Sequence, residues 1–141
     1  MATVERIMAL DVGDVRIGIA LSDALGWTAQ GLETYTRKDD GRDVAYIVGL
    51  ADEKGAKTLL FGMPRNMNGT YGPQSEKVRA FAALFEGAFG GAIEFYDERL
   101  TTMAAERVLL EADVSRAKRK KVIDKLAATV ILQGYLDGKR N

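Results

Sequence analysis

The sequence predicts an α/β fold in which helices cover a mixed sheet. Three observations predict it. Three strand-length segments lie within the first 36 positions, an apolar run ending in one acid, an alternating segment and a more moderately alternating one; helical spacing takes over from residue 42, and a short apolar run at 57–61 returns to strand length. Three strands, a helix and a strand in that order give a sheet with both antiparallel and parallel neighbours. At 141 residues and 47% hydrophobic, the chain has the size and apolar content of one domain, read as 1–141.

In the first strand Ile7, Ala9 and Asp11 share one face and Met8, Leu10 and Val12 the other, so Asp11 ends a buried strand. Gly13-Asp14 reads as a two-residue II′ hairpin loop, with Gly supplying positive φ. In the second strand Val15, Ile17, Ile19 and Leu21 alternate with Arg16, Gly18, Ala20 and Ser22, and the small Gly18 and Ala20 leave open space beside the first strand. Ala29 to Thr36 is a third strand, completing a meander, and residues 37–41 are a polar turn.

Val44, Ile47, Val48 and Ala51 then mark a helix over 42–54, with Gly55 as its stop, and Lys57 to Phe61 is a buried strand. GMPRNMNGTYG at 62–72 reads as a functional loop. Pro73 opens a helix whose stripe is Val78, Phe81, Ala82 and Phe85, ending at Gly90-Gly91. Ala92 to Tyr96 is the fifth strand; Thr101-Thr102 caps a helix carrying Ala105, Val108 and Leu109. After the polar, basic stretch 112–121, the last helix runs through Val122, Leu126, Val130 and Leu132 to about Leu136.

Composition narrows the chemistry. Twenty basic and twenty acidic residues balance, so any nucleic-acid contact must be local. No apolar run approaches the ~20 residues of a membrane span and no secretory leader is legible, so the expectation is a cytoplasmic protein without membrane association. The chain has no Cys and no His, which removes disulfides, thiolate nucleophiles, imidazole acid-base catalysis and the usual zinc ligands. Carboxylates without imidazole suit hard ions such as magnesium or manganese.

Three acids stand out: Asp11 at a strand end, Glu98 just after a strand, and Asp124 within the last helix. Each has a plainer reading, respectively a satisfied turn acid, a favourable charge near a helix N-terminus, and a surface partner of Lys120 at i,i+4. Against the last, Asp124 shares a helix face with Ala128 and Ile131, and Ala127-Ala128 would let that helix sit close to the sheet. Three inward carboxylates would repel one another strongly at low dielectric, so a divalent cation between them makes sense of their joint presence.

The segments LDVGDVRIGIALSD at 10–23, FGMPRNMNGTYGPQ at 61–74, FYDERLTT at 95–102 and KVIDKLAATVILQGYL at 121–136 carry a resemblance. They resemble the YqgF family, also called RuvX, of the RNase H-like nuclease superfamily, over nearly the whole chain. The resemblance implies a sheet with strands 1–3 antiparallel and helices on both faces. It also implies catalytic, metal-binding carboxylates at Asp11, Glu98 and Asp124, with Asp97 a second candidate beside Glu98. The activity implied is nuclease maturation of the 5′ end of pre-16S ribosomal RNA. Holliday-junction resolution is the alternative, and a symmetric junction would require a homodimer.

On that reading two ions about 4 Å apart would serve an in-line phosphodiester displacement. Arg16 and Lys121 are candidates for holding phosphates, and the run Arg116, Lys118, Arg119, Lys120 and Lys121 is a backbone track or else a solvated helix start. RNA is the favoured partner and branched DNA the other. Two rivals lie outside nuclease chemistry. One is a noncatalytic RNA-binding module; the other is a nucleotide-binding module, because Asp11-Val12-Gly13 also resembles the phosphate loop of actin-like ATPases. Those proteins clamp nucleotide between two domains, which this chain is too short to supply.

Overall fold

The computed structural model describes residues 5–64, 72–97 and 116–140, with the side chains of the last helix described from Lys125 to Gly138. The strands β1 (Arg6–Val12), β2 (Arg16–Ser22) and β3 (Ala29–Thr36) come first. Then follow α1 (Asp40–Lys54), β4 (Ala56–Met63), α2 (Pro73–Ala83), β5 (Ala92–Asp97) and α3 (Arg116–Arg140). The five strands form one sheet in the order β3-β2-β1-β4-β5. Short turns join β1, β2 and β3, which pair antiparallel. The parallel pairing of β4 on β1 and of β5 on β4 needs longer connections, and these contain α1 and α2.

Strand alternation divides the core in two. Met8, Leu10, Val12, Ile17, Ile19, Leu59, Phe61 and Met63 face one side, where Ile47 and Ala51 of α1 and Val78, Phe81 and Ala82 of α2 cover them. Phe61 meets Phe81 and Phe85 edge to face at 6.4 and 5.5 Å, the geometry that aromatic quadrupoles favour. Ile7, Ala9, Ala20 and Leu60 face the other side, against Ala128, Ile131, Leu132 and Leu136 of α3. Ala127 and Ala128 are fully buried, so the small pair does let α3 lie close to the sheet.

The antiparallel meander, the mixed sheet and the helices on both faces match the sequence reading, and several boundaries differ for identifiable reasons. Helix α1 begins at Asp40, ahead of 42, because the Asp39 carboxylate accepts the Arg42 N–H at 2.9 Å. Its end is as expected, with Gly55 left-handed at φ 73 and its N–H returned to the Ala51 and Asp52 carbonyls. Strand β4 continues to Met63, so Gly62 and Met63 belong to it and not to the loop. Residues 65–71 of that predicted loop lie outside the described residues, as does the helix predicted after Thr101-Thr102.

Helix α2 stops at Ala83, well short of Gly90-Gly91, because the following turns let Phe85 and Phe89 enter the core from an irregular segment. The β1–β2 turn is not the II′ loop expected, since Gly13 does not have positive φ. Its glycine is required for another reason: a Cβ there would stand 2.9 Å from the Arg16 carbonyl oxygen, to which the Gly13 N–H donates. Val15 lies in that turn and is 59% exposed, so it is not part of the apolar face of β2. In α3 the buried stripe is Ala127, Ala128, Ile131, Leu132 and Leu136, and Val130 is exposed.

Candidate active site

Asp11 sits in the last turn of pleat of β1 and points to the α3 side, the side of Ile7 and Ala9. It is half-buried. Its antiparallel partner is Gly18, and on the other flank Gly62 follows the Leu10–Phe61 pair in register. Neither of these two strand neighbours has a side chain to cover the carboxylate. The open space expected at Ala20 does not exist, because α3 fills it.

Helix α3 runs antiparallel to β1. A Cβ on Gly31 would touch Lys125, while Gln133 Oε1 accepts the N–H of Ala29 at 2.9 Å, so the amino-terminal half of α3 lies toward the end of the sheet that carries Asp11. Asp124 immediately precedes Lys125 on this helix, one turn before the fully buried Ala128. Its side chain lies outside the described residues, as do those of Arg116, Lys118, Arg119, Lys120 and Lys121, whose backbone forms the first turns of α3. Arg16 opens β2 on the α3 side, two residues from Gly18, and so shares a face with Asp11.

Glu98 also lies outside the described residues. Its neighbour Asp97 ends β5 in register with Met63, which faces α1 and α2. Asp97 therefore belongs to the side of the sheet opposite Asp11, whereas Tyr96 faces α3 and its hydroxyl stands close to Gly134. Among the described residues no three acids gather into a cation site. The donor chemistry still fits a hard divalent ion, because Asp11 presents carboxylate oxygens beside two glycine-bearing strands and the chain has no softer imidazole or thiolate ligand.

Two residues of this region escaped the sequence reading, which took 37–41 as a polar turn. Asp43 is only 1% exposed. Its carboxylate accepts the Tyr35 hydroxyl at 2.9 Å, the Lys38 N–H at 2.9 Å and Arg37 Nε at 3.0 Å. Burial pushes its pKa up, but the donors Lys38 N–H, Arg37 and Tyr35 outweigh that and hold it below the ordinary carboxylate value. Arg37 Nη1 in turn donates to the Gly13 carbonyl at 2.9 Å, and the Arg37 guanidinium lies 4.5 Å over the Phe81 ring. The signal available was the stripe Asp43, Ile47, Ala51, which places an acid in line with the core residues of α1.

A cavity of about 370 Å³ lies by this cluster, lined by Val12, Asp14, Arg37, Lys77 and Phe81 among others. Val12 and Phe81 put it on the α1–α2 side, away from Asp11. Its cations already have partners, Arg37 with Asp43 and Lys77 with Asp14 at 3.3 Å, so it is not built to take an anion.

Residues 5–138 match the profile of the family described as "RuvX: Holliday junction resolvase". The chain belongs to the RuvX family. A relative from Clostridium perfringens, named "Putative pre-16S rRNA nuclease", is 56% identical over 132 residues, covering 94% of this chain and 96% of its own. One of the same name from Symbiobacterium thermophilum is 59% identical over 134 residues, covering 95% and 93%. Among solved structures, Thermus thermophilus RuvC in complex with a Holliday junction aligns with a TM-score of 0.62 at 14% identity, covering 97% of this chain and 96% of that one. The RuvX chain therefore has the RuvC-like, RNase H-like fold.

Proposed function

We propose that this chain is a metal-dependent nuclease that hydrolyses phosphodiester bonds at the 5′ end of pre-16S ribosomal RNA. The observation that carries the reading is the convergence at one end of the sheet. Asp11 stands there between glycine-bearing strands, β5 ends there one residue before Glu98, and the amino-terminal half of α3, which carries Asp124, lies toward it. The pleat that turns Tyr96 toward α3 and Asp97 away favours Glu98 over Asp97 as the second acid. The names of relatives sharing more than half of the sequence favour ribosomal RNA as substrate.

Asp11, Glu98 and Asp124 would hold magnesium or manganese, two ions in the arrangement favoured here. Such ions activate water for attack and stabilise the leaving oxygen. Arg16, on the face of Asp11, would bind the phosphate next to the scissile bond, with Lys121 as a second contact. The basic run Arg116, Lys118, Arg119, Lys120 would follow the nucleic-acid backbone without reading sequence. The cytoplasm, where ribosomal RNA precursors are made in bacteria, is the compartment this reading requires.

The family description favours one second reading, resolution of branched DNA, which would need a homodimer presenting two sites. One experiment separates them: cleavage of a pre-16S RNA 5′ leader and of a four-way DNA junction, each with magnesium or manganese and with chelator, beside Asp11→Asn. Metal-dependent cleavage of the leader alone, lost in Asp11→Asn, is expected. Cleavage of the junction alone would replace the RNA reading, and cleavage of neither would remove the nuclease.

A further inference from the structure

We propose that Arg37, fixed by Asp43, is a positioning residue for Asp11, locking the β1–β2 turn so that the carboxylate is presented at one height above the sheet. This rests on the reading of Asp11 as a metal ligand. Beyond the Val12–Ile17 pair the hairpin has little ladder of its own, and Gly13 N–H to Arg16 O at 2.9 Å is its closing bond. Arg37 holds the turn at two points. Its backbone N–H donates to the Val15 carbonyl at 2.8 Å and its Nη1 donates to the Gly13 carbonyl at 2.9 Å. Gly13 is two residues from Asp11, so rotation of that peptide would tilt the end of β1.

The guanidinium has no freedom to let the turn drift. Nε is held by Asp43 at 3.0 Å, Nη2 by Asp40 at 3.1 Å, and one face lies on Phe81. Asp43 is itself anchored in α1, buried, and saturated by Tyr35 and Lys38. A chain of bonds thus runs from α1 through Asp43 and Arg37 to the turn that follows Asp11. An ion pair meant only to join α1 to β3 would not need a guanidinium, but reaching three acceptors in one plane does. Metal ligands must be held within about half an ångström, and removing an outer partner that orients a ligand costs 10–100-fold in affinity or activity.

The test compares the full-length protein, Arg37→Lys and Arg37→Ala, with Asp11→Asn as control. Lys keeps the charge but reaches one acceptor, so it keeps the fold where Ala could lose it. Two readouts are needed besides cleavage: manganese affinity by calorimetry without nucleic acid, and exchange of the Gly13 amide. In Arg37→Lys the Gly13 amide is expected to exchange at least tenfold faster while Ala9 and Leu10 stay as before, manganese affinity to fall about tenfold, and kcat to fall with KM unchanged. Unaltered Gly13 exchange overturns the proposal, and so does full manganese affinity in a variant whose turn has loosened. If Asp11→Asn binds manganese as tightly as the parent, the reading of Asp11 has failed and positioning falls with it, an outcome distinct from failure of the Arg37 variants.

Discussion

Asp43→Asn isolates the buried carboxylate that supports the site. The amide oxygen can still accept from Tyr35 and Lys38, but the new NH2 then faces Arg37 Nε, which also donates, at the 3.0 Å the structure sets. Removing one member of a buried ion pair costs ~3–5 kcal/mol, and because Arg37 is 18% exposed and keeps Asp40, the lower end, about 3 kcal/mol, is expected. For a chain of this length that is a fall of roughly 9–15 °C in Tm at pH 7. The effect has a pH signature. The folded pKa of Asp43 lies below its ordinary 3.8, so its contribution is fully present above pH 3.8 and lost as pH falls through the folded value. The gap between the two proteins should therefore narrow below pH 3.8. Melts by circular dichroism from pH 7 to pH 2.5 measure it, and a variant melting within about 2 °C of the parent at pH 7, or a gap that persists undiminished at pH 2.5, would refute the reasoning.

Three further outcomes follow from the site and the packing of α3. Asp11→Asn, Glu98→Gln and Asp124→Asn should each abolish metal-dependent cleavage while leaving the metal-free Tm equal or higher, since each relieves like-charge repulsion; a large fall in Tm for all three in chelator would return these acids to structural roles. Replacing Lys118, Arg119 and Lys120 by Ala should weaken binding to all sequences alike and lower the salt slope by about one unit per lost phosphate contact, with an unchanged slope meaning a solvated helix start. Burial and its bond to Glu94 at 2.7 Å push Tyr135 up to about 12, so its share of stability is whole below pH 10 and lost as pH rises toward 12. Tyr135→Phe should cost about 1 kcal/mol in urea melts at pH 8 and less at pH 11.5, and an equal cost at both would disprove the assignment.

The elements that were legible in the sequence are those whose pattern is local. Alternation placed Asp11 on the face of Ile7 and Ala9, Gly55 stopped α1, and Ala127-Ala128 marked the close approach of α3. What was not legible depended on partners far along the chain. Gly13 looked like a positive-φ turn residue because glycine commonly is, whereas its constraint comes from the Arg16 carbonyl and from Arg37, 24 positions away. Phe85 read as the continuation of the α2 stripe because aromatic spacing cannot tell a helical turn from an irregular one filling the same core. Of the acids, Asp11 lay within a regular strand whose pleat fixes its side. Asp97 and Glu98 are adjacent in sequence, and only the register of β5 against Met63 puts Asp97 on the α1–α2 side.

The seating of α3 sets an order of events in the life of the molecule. Most of its described contacts are with strands made early in synthesis, such as the bond from Ala29 to Gln133 across 104 positions. The meander can close on itself early through short hairpins, but Ala9, Ala20 and Leu60 stay uncovered until the last helix arrives, and contacts so distant in sequence form slowly. The same helix brings Asp124. On the proposed reading, a nascent or truncated chain would carry Asp11 on a formed hairpin yet lack Asp124, so hydrolytic capacity would arise only once α3 has been made and docked. Pulse-labelled hydrogen exchange during refolding would register this as protection of β1 and β2 ahead of α3, and simultaneous protection would show that the helix docks in the same step.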